Sequence, residues 1–123
     1  KNEILDALEQ AASHSTVPDT WAELDTSRLM ECMDTTDGVM ALFRHIQRTA
    51  VRCGMDEPGC FQVGGLSDSG ITVACGIPTV CAMGVRGEGN HTPTEYAEVE
   101  SLFERCILAA CAAGSLEDGF TEQ

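Results

Sequence analysis

Positive charge is what this chain has least of. Seven Lys and Arg stand against 20 Asp and Glu, a formal net charge of −13, and a surface of that sign repels phosphate backbones and anionic bilayers. Neither nucleic acid nor membrane is an expected partner. Long apolar runs are also missing. No stretch approaches the ~20 residues that span a bilayer, and the first residues lack the basic and apolar regions of a secretory signal, so the sequence points to the cytoplasm. There is no C-x-x-C among the seven cysteines, Cys32, Cys53, Cys60, Cys75, Cys81, Cys106 and Cys111. Odd in number and mostly set in apolar patterns, they read as reduced core residues rather than a disulfide framework or a zinc knuckle. A redox module based on paired thiols is the least supported class. Histidine is scarce as well: His14, His45 and His91 are the only three, with no H-x-D and no Glu-Glu pair.

What is present fits one ordinary domain of 123 residues. Ile4, Leu5, Leu8, Ala11 and Ala12 share one helical face. Residues 16–24, with Pro18 and Trp21, are read as an edge strand of poor alternation. His14, between two serines, reads as a solvated loop residue, and residues 28–34 as a connector. A long helix follows the Thr35-Thr36-Asp37 cap, with Val39, Leu42, Phe43, Ile46, Ala50 and Cys53 on its stripe, His45 beside the stripe as a structural residue, and Gly54 as its stop.

Residues 60–63 and 77–83 are apolar and read as strands. Between them a short helix, capped by Ser67 or Asp68 and ended by Gly76, completes a βαβ unit whose strands should be parallel. The expected fold class is therefore α/β, with helices packed on a mostly parallel sheet. The last helix, from about residue 98 to 113, is expected to cover that sheet with Val99, Leu102, Phe103, Cys106, Ile107 and Ala110.

Between these elements lies GVRGEGNHTPTEY, residues 84–96, with three glycines, Arg86 and His91 in a short loop. Glycines let a backbone approach a ligand closely, and a neutral imidazole is the commonest zinc ligand. Glu95, four residues on, suits either a carboxylate that orients a metal-bound histidine or an acid at a helix start. Ser67 and Asp68 suit either hydrogen bonding to a substrate or helix capping. A glycine-rich surface turn with an idle histidine is the plain alternative for the whole loop. No complete catalytic set is present, because a catalytic zinc needs about three protein ligands and a general base besides.

The ordered series Gly64-Gly65, Ser67-Asp68, Gly76-Ile77-Pro78-Thr79, the glycine loop, and His91 with Glu95 resembles the C-terminal end of the clan MH zinc exopeptidases and amidohydrolases. That family includes glutamate carboxypeptidase, peptidase T, aminoacylase, acetylornithine deacetylase and succinyl-diaminopimelate desuccinylase. The resemblance implies hydrolysis of an amide bond beside a carboxylate, in a peptide or N-acyl amino acid, by a water activated between two zinc ions. His91 would be the last metal ligand in chain order and Glu95 its partner. Gly84, Arg86, Gly87, Gly89 and Asn90 would line the substrate pocket, with Ser67 and Asp68 at the neighbouring loop. Leu66 departs from the polar residue some members carry there.

The resemblance also divides the chain. Residues 1–24 would be a helix and strand left from an inserted lid domain, 25–36 a connector, 37–116 the C-terminal part of a catalytic domain, and 117–123 a tail. The remaining ligands and the catalytic glutamate lie outside such a piece, and Lys1 stands where an initiator methionine is expected. The expectation is a fragment that supplies no catalytic residue, binds no zinc and is inactive alone, and that self-associates through the apolar surface it exposes. The competing expectation is a non-catalytic, acidic protein-interaction domain.

Overall fold

The computed structural model describes residues 2–116; the expected tail, 117–123, lies outside the described residues. Contacts divide the chain into two units, Lys1–Met30 and Glu31–Gln123. In the first, α1 (Asn2–Ala12) forms where the apolar spacing places it, although none of its residues is fully buried. Ser13 N–H donates to the Glu9 carbonyl at 2.9 Å just past its end. His14 is exposed, as expected, its Nδ1 within 3.2 Å of the Gln10 carbonyl. The expected edge strand over 16–24 does not form. Ser15 Oγ bonds the Val17 carbonyl, Thr20 folds back onto the same carbonyl, and Asp19 takes a positive φ of 61°. Pro18 has no N–H to give to a ladder, and local turn bonds satisfy the backbone instead.

The second unit is organised on two long helices. α2 (Asp37–Arg52) starts where Thr36 Oγ1 accepts the Val39 N–H at 3.2 Å, and it ends before Gly54, whose φ of +76° is costly for any residue with a Cβ. Its expected stripe does face inward. Val39, Ile46 and Ala50 are buried, and Leu42, Phe43 and Cys53 half-buried. α3 (Ser69–Ala74) ends before Gly76, whose φ is +81°. Gly70 carries no Cβ because one would strike the Glu31 carbonyl. α4 (Val99–Gly114) packs on α2. Ile46, Ala50, Leu108 and Ala112 form the buried cluster, and Leu42, Met55, Val80 and Met83 pack against it.

The parallel sheet is the main correction. Among the described residues the one sheet has two short antiparallel strands, β1 (Gly87–Glu88) and β2 (Tyr96–Ala97), with Gly87 opposite Ala97 and Glu88 opposite Tyr96. Residues 60–63 and 77–83 join no ladder. Phe61 is 84% and Val63 71% exposed, whereas Val80 and Met83 pack against the helical cluster. An apolar run signals burial, not pairing, and a parallel strand also needs a neighbour in register. In the second run Val80 and Met83 rest against the helices while Ile77 stays 57% exposed.

α4 brings a second correction. The face expected to be covered is open: Val99 and Phe103 are each 66% exposed, Ile107 52% and Leu102 49%. Ser101, Leu108, Ala112 and Ser115 are buried instead. His45 explains part of this choice. Its imidazole is 4% exposed, and Nε2 donates to the Ala112 carbonyl at 2.9 Å, which fixes the tautomer and pins α2 to this side of α4. The structural role expected for His45 is the one it has. The cysteines are free, as expected, but none is buried, so they are not the core residues the apolar patterns suggest.

Candidate functional site

The glycine loop of the sequence is a hairpin. Gly87 sits in its first strand because a Cβ there would strike the Tyr96 carbonyl across the ladder. At the tip the chain reverses between Gly89 and Thr92: Thr92 N–H donates to the Gly89 carbonyl at 3.0 Å, and Thr92 Oγ1 donates to the same oxygen at 2.6 Å. His91 is the third residue of that turn and has φ +65°. That position favours glycine or asparagine, so an imidazole held there costs about 1 kcal/mol of backbone strain. The ring is exposed.

Glu95 closes the turn from the other side, its Oε2 accepting the His91 N–H at 3.4 Å. The carboxylate thus holds the main chain of His91 rather than the imidazole. Thr94 N–H and Oγ1 both lie near Thr92 Oγ1, at 3.3 and 3.0 Å, so the two threonines brace the same reversal.

The base of the hairpin is clamped to α4. Arg86 N–H donates to Ser101 Oγ at 2.9 Å, Ser101 Oγ donates to the Glu98 carbonyl at 2.7 Å, and Glu98 N–H donates to the Arg86 carbonyl at 2.8 Å. The Arg86 guanidinium is spanned by two carboxylates, Glu104 at 2.8 Å and Glu98 at 3.1 Å. They raise its affinity for its proton, Glu104 the more strongly. Arg86 is therefore committed to the hairpin's anchorage. Ser101, fully buried, is the residue sequence reading missed; its one signal is a hydroxyl set in an apolar helix.

Beside the hairpin runs a cleft of about 760 Å³, within the size range of small-ligand sites. Of the residues expected to meet substrate, Gly84, Arg86, Gly87 and Asn90 line it, together with Glu95. Gly89 belongs to the tip turn. Ser67 touches the cleft indirectly, its Oγ lying 3.2 Å from Cys81 Sγ, which lines the wall. Asp68 stands at the start of α3 without a side-chain capping bond, while Ser67 Oγ accepts the Ser69 N–H at 3.2 Å. Ser67 rather than Asp68 takes the turn-forming role.

Hydrogen bonds from Ser67, then Ser69, hold the Cys81 thiol below its ordinary pKa, against a smaller opposing effect of burial. A lowered pKa raises the thiolate fraction near neutrality. Removing the main hydrogen-bond partner with Ser67→Ala should therefore slow alkylation of Cys81 by iodoacetamide at pH 7 by about two- to fivefold. Peptide mapping after timed labelling measures this, and an unchanged rate would show that Ser67 does not tune the thiol.

A zinc site needs more donors than this hairpin offers. Among the described residues no three or more His, Cys, Asp or Glu side chains converge as a metal site, and His91 by itself does not fit the two-ion centre that the family resemblance implies. Comparison with family models, curated proteins and solved structures returned no match to the chain. Among the described residues, no helix is long and apolar enough to cross a membrane.

Proposed function

We propose that this chain is the C-terminal part of a zinc-dependent peptidase or N-acyl amino acid amidohydrolase. It supplies His91 as one metal ligand and the glycine-lined wall of the substrate cleft, and the rest of the ligand set and the general base belong to the remainder of the enzyme. The observation that carries this reading is the left-handed backbone of His91 at the hairpin tip. Strain of that kind at an exposed, ligand-type side chain is where function is sought first, and two threonines and Glu95 maintain it. The order of sequence motifs around the hairpin adds the reaction class, cleavage of an amide beside a carboxylate. Turnover and zinc content of the polypeptide that carries the full ligand set, with His91 intact and replaced, form the test. Normal values for both after replacement would defeat the proposal, as would hydrolysis by residues 1–123 alone.

A second reading, an acidic interaction module, is favoured by the open face of α4. Val99, Leu102, Phe103 and Ile107 make an uncharged row on a chain of net charge −13. The partner in this reading is a second copy, whose matching apolar row would cover these exposed side chains. Sedimentation should then show a dimer that Phe103→Asp converts to monomer. A monomer at all concentrations would remove the support for this reading.

A further inference from the structure

One arginine of the second unit stands apart from the others. Arg105 follows Ser101 by four residues and precedes Leu108 by three on α4, and both of those are buried, so it lies toward the inward side of the helix. Among the described residues, Arg28, Arg44, Arg48, Arg52 and Arg86 are exposed, where water solvates a guanidinium; Arg105 is half-buried. Its Nε is closed to solvent and has no hydrogen-bond partner among the described residues. Asp56, Glu57 and Glu104 border a cavity of about 180 Å³ together with Arg105. The ion pairs of this region, at 2.8 and 3.1 Å, nevertheless belong to Arg86. A buried N–H on a charged group that lacks an acceptor costs free energy, so such a group points to a partner still to arrive.

The same side chain lines the cleft of about 760 Å³ beside the hairpin. Phe43, Ile46, Val80, Met83 and Leu108 give that cleft an apolar wall, while Glu88 and Glu95 put negative charge on it. Arg86 also lines it, but Glu98 and Glu104 already span its guanidinium. Arg105 is thus the cleft cation with its hydrogen-bonding capacity unused.

We propose that Arg105 is the carboxylate-binding residue of this cleft, and that its ligand is a small monocarboxylate with an apolar body. A guanidinium presents a planar fork that a carboxylate matches with parallel N–H···O bonds. Partial burial makes that attraction stronger than it is in water. The apolar wall takes the body of the ligand. Glu88 and Glu95 select against phosphate, whose second negative charge they repel. The inference rests on the hydrolase reading for one point, that this carboxylate belongs to the substrate; the binding itself does not depend on turnover.

The test titrates three probes calorimetrically into the chain: N-acetyl-L-phenylalanine, its neutral amide and inorganic phosphate. The acid should bind, and the amide should bind about ten- to a hundredfold more weakly, with phosphate no tighter than the amide. Arg105→Gln should bring the acid down to the level of the amide. Arg105→Lys, which keeps the charge without the fork, should restore part of the preference. The ratio of acid to amide on the native sequence needs no variant, so a misfolded variant does not shield the proposal. Equal binding of acid and amide, no binding of either, tighter binding of phosphate, or an unchanged preference in Arg105→Gln with a native circular dichroism spectrum would each overturn it. In the polypeptide that carries the full ligand set, Arg105→Gln should raise KM for an N-acyl amino acid by a similar factor while kcat changes little. Hydrolysis with an unmoved KM defeats the carboxylate site and leaves the hydrolase reading standing. No hydrolysis at all, with an Arg105-dependent preference for the acid, defeats the hydrolase reading and leaves the carboxylate site standing.

Discussion

Replacing His91 with alanine in the polypeptide that carries the complete ligand set should lower turnover of N-acyl amino acids or dipeptides by on the order of 10³-fold, with loss of bound zinc. The magnitude follows from what a metal supplies to amide hydrolysis, several kcal/mol of charge stabilisation together with an activated water, at about 1.4 kcal/mol per factor of ten. Alanine at φ +65° is itself strained, so a collapsed turn could produce the same loss. His91→Gly separates the two causes, because glycine relaxes the left-handed backbone while removing the imidazole. An equal loss in both variants, with an unchanged circular dichroism spectrum, assigns the effect to the ligand. Full activity in His91→Gly would end the case for His91.

Leu108→Ala should cost about 3 kcal/mol, within the range for large-to-small changes in a packed core. The side chain is 1% exposed and is one of the two largest that are fully buried. It meets Ile46, Ala50 and Ala112, a cluster too small to close over the cavity. Native domains are stable by only about 5–15 kcal/mol, so the urea midpoint should fall steeply. Ile107→Ala, one position earlier but 52% exposed, should cost less than about 1 kcal/mol. If Ile107→Ala proved the more damaging, the buried side of α4 would be the one its apolar spacing suggests, and the packing described above would be wrong.

That contrast shows where reading the sequence stops. A helix closes its hydrogen bonds within four residues, so periodicity and caps at Thr36, Gly54 and Gly76 are enough to place α2 and α3, and the same local rule places α1 and α4. The glycine-rich loop and His91 were legible for a similar reason, since each depends on residue type at one position. The hairpin form was not, because pairing Gly87 with Ala97 depends on what faces it across the turn. Ser101 was invisible for the same cause: its hydroxyl matters because Arg86 returns to it from fifteen residues away.

The sequence by itself determined the acidic surface, the four helices of the described residues and the chemistry offered at position 91, all consequences of local composition and spacing. Tertiary structure decided which side of α4 is buried and that the apolar runs at 60–63 and 77–83 stay unpaired. It also decided that Arg86 anchors the hairpin. Each of those outcomes rests on partners distant in the chain, and neither hydrophobicity nor helical period carries information about which distant partner arrives.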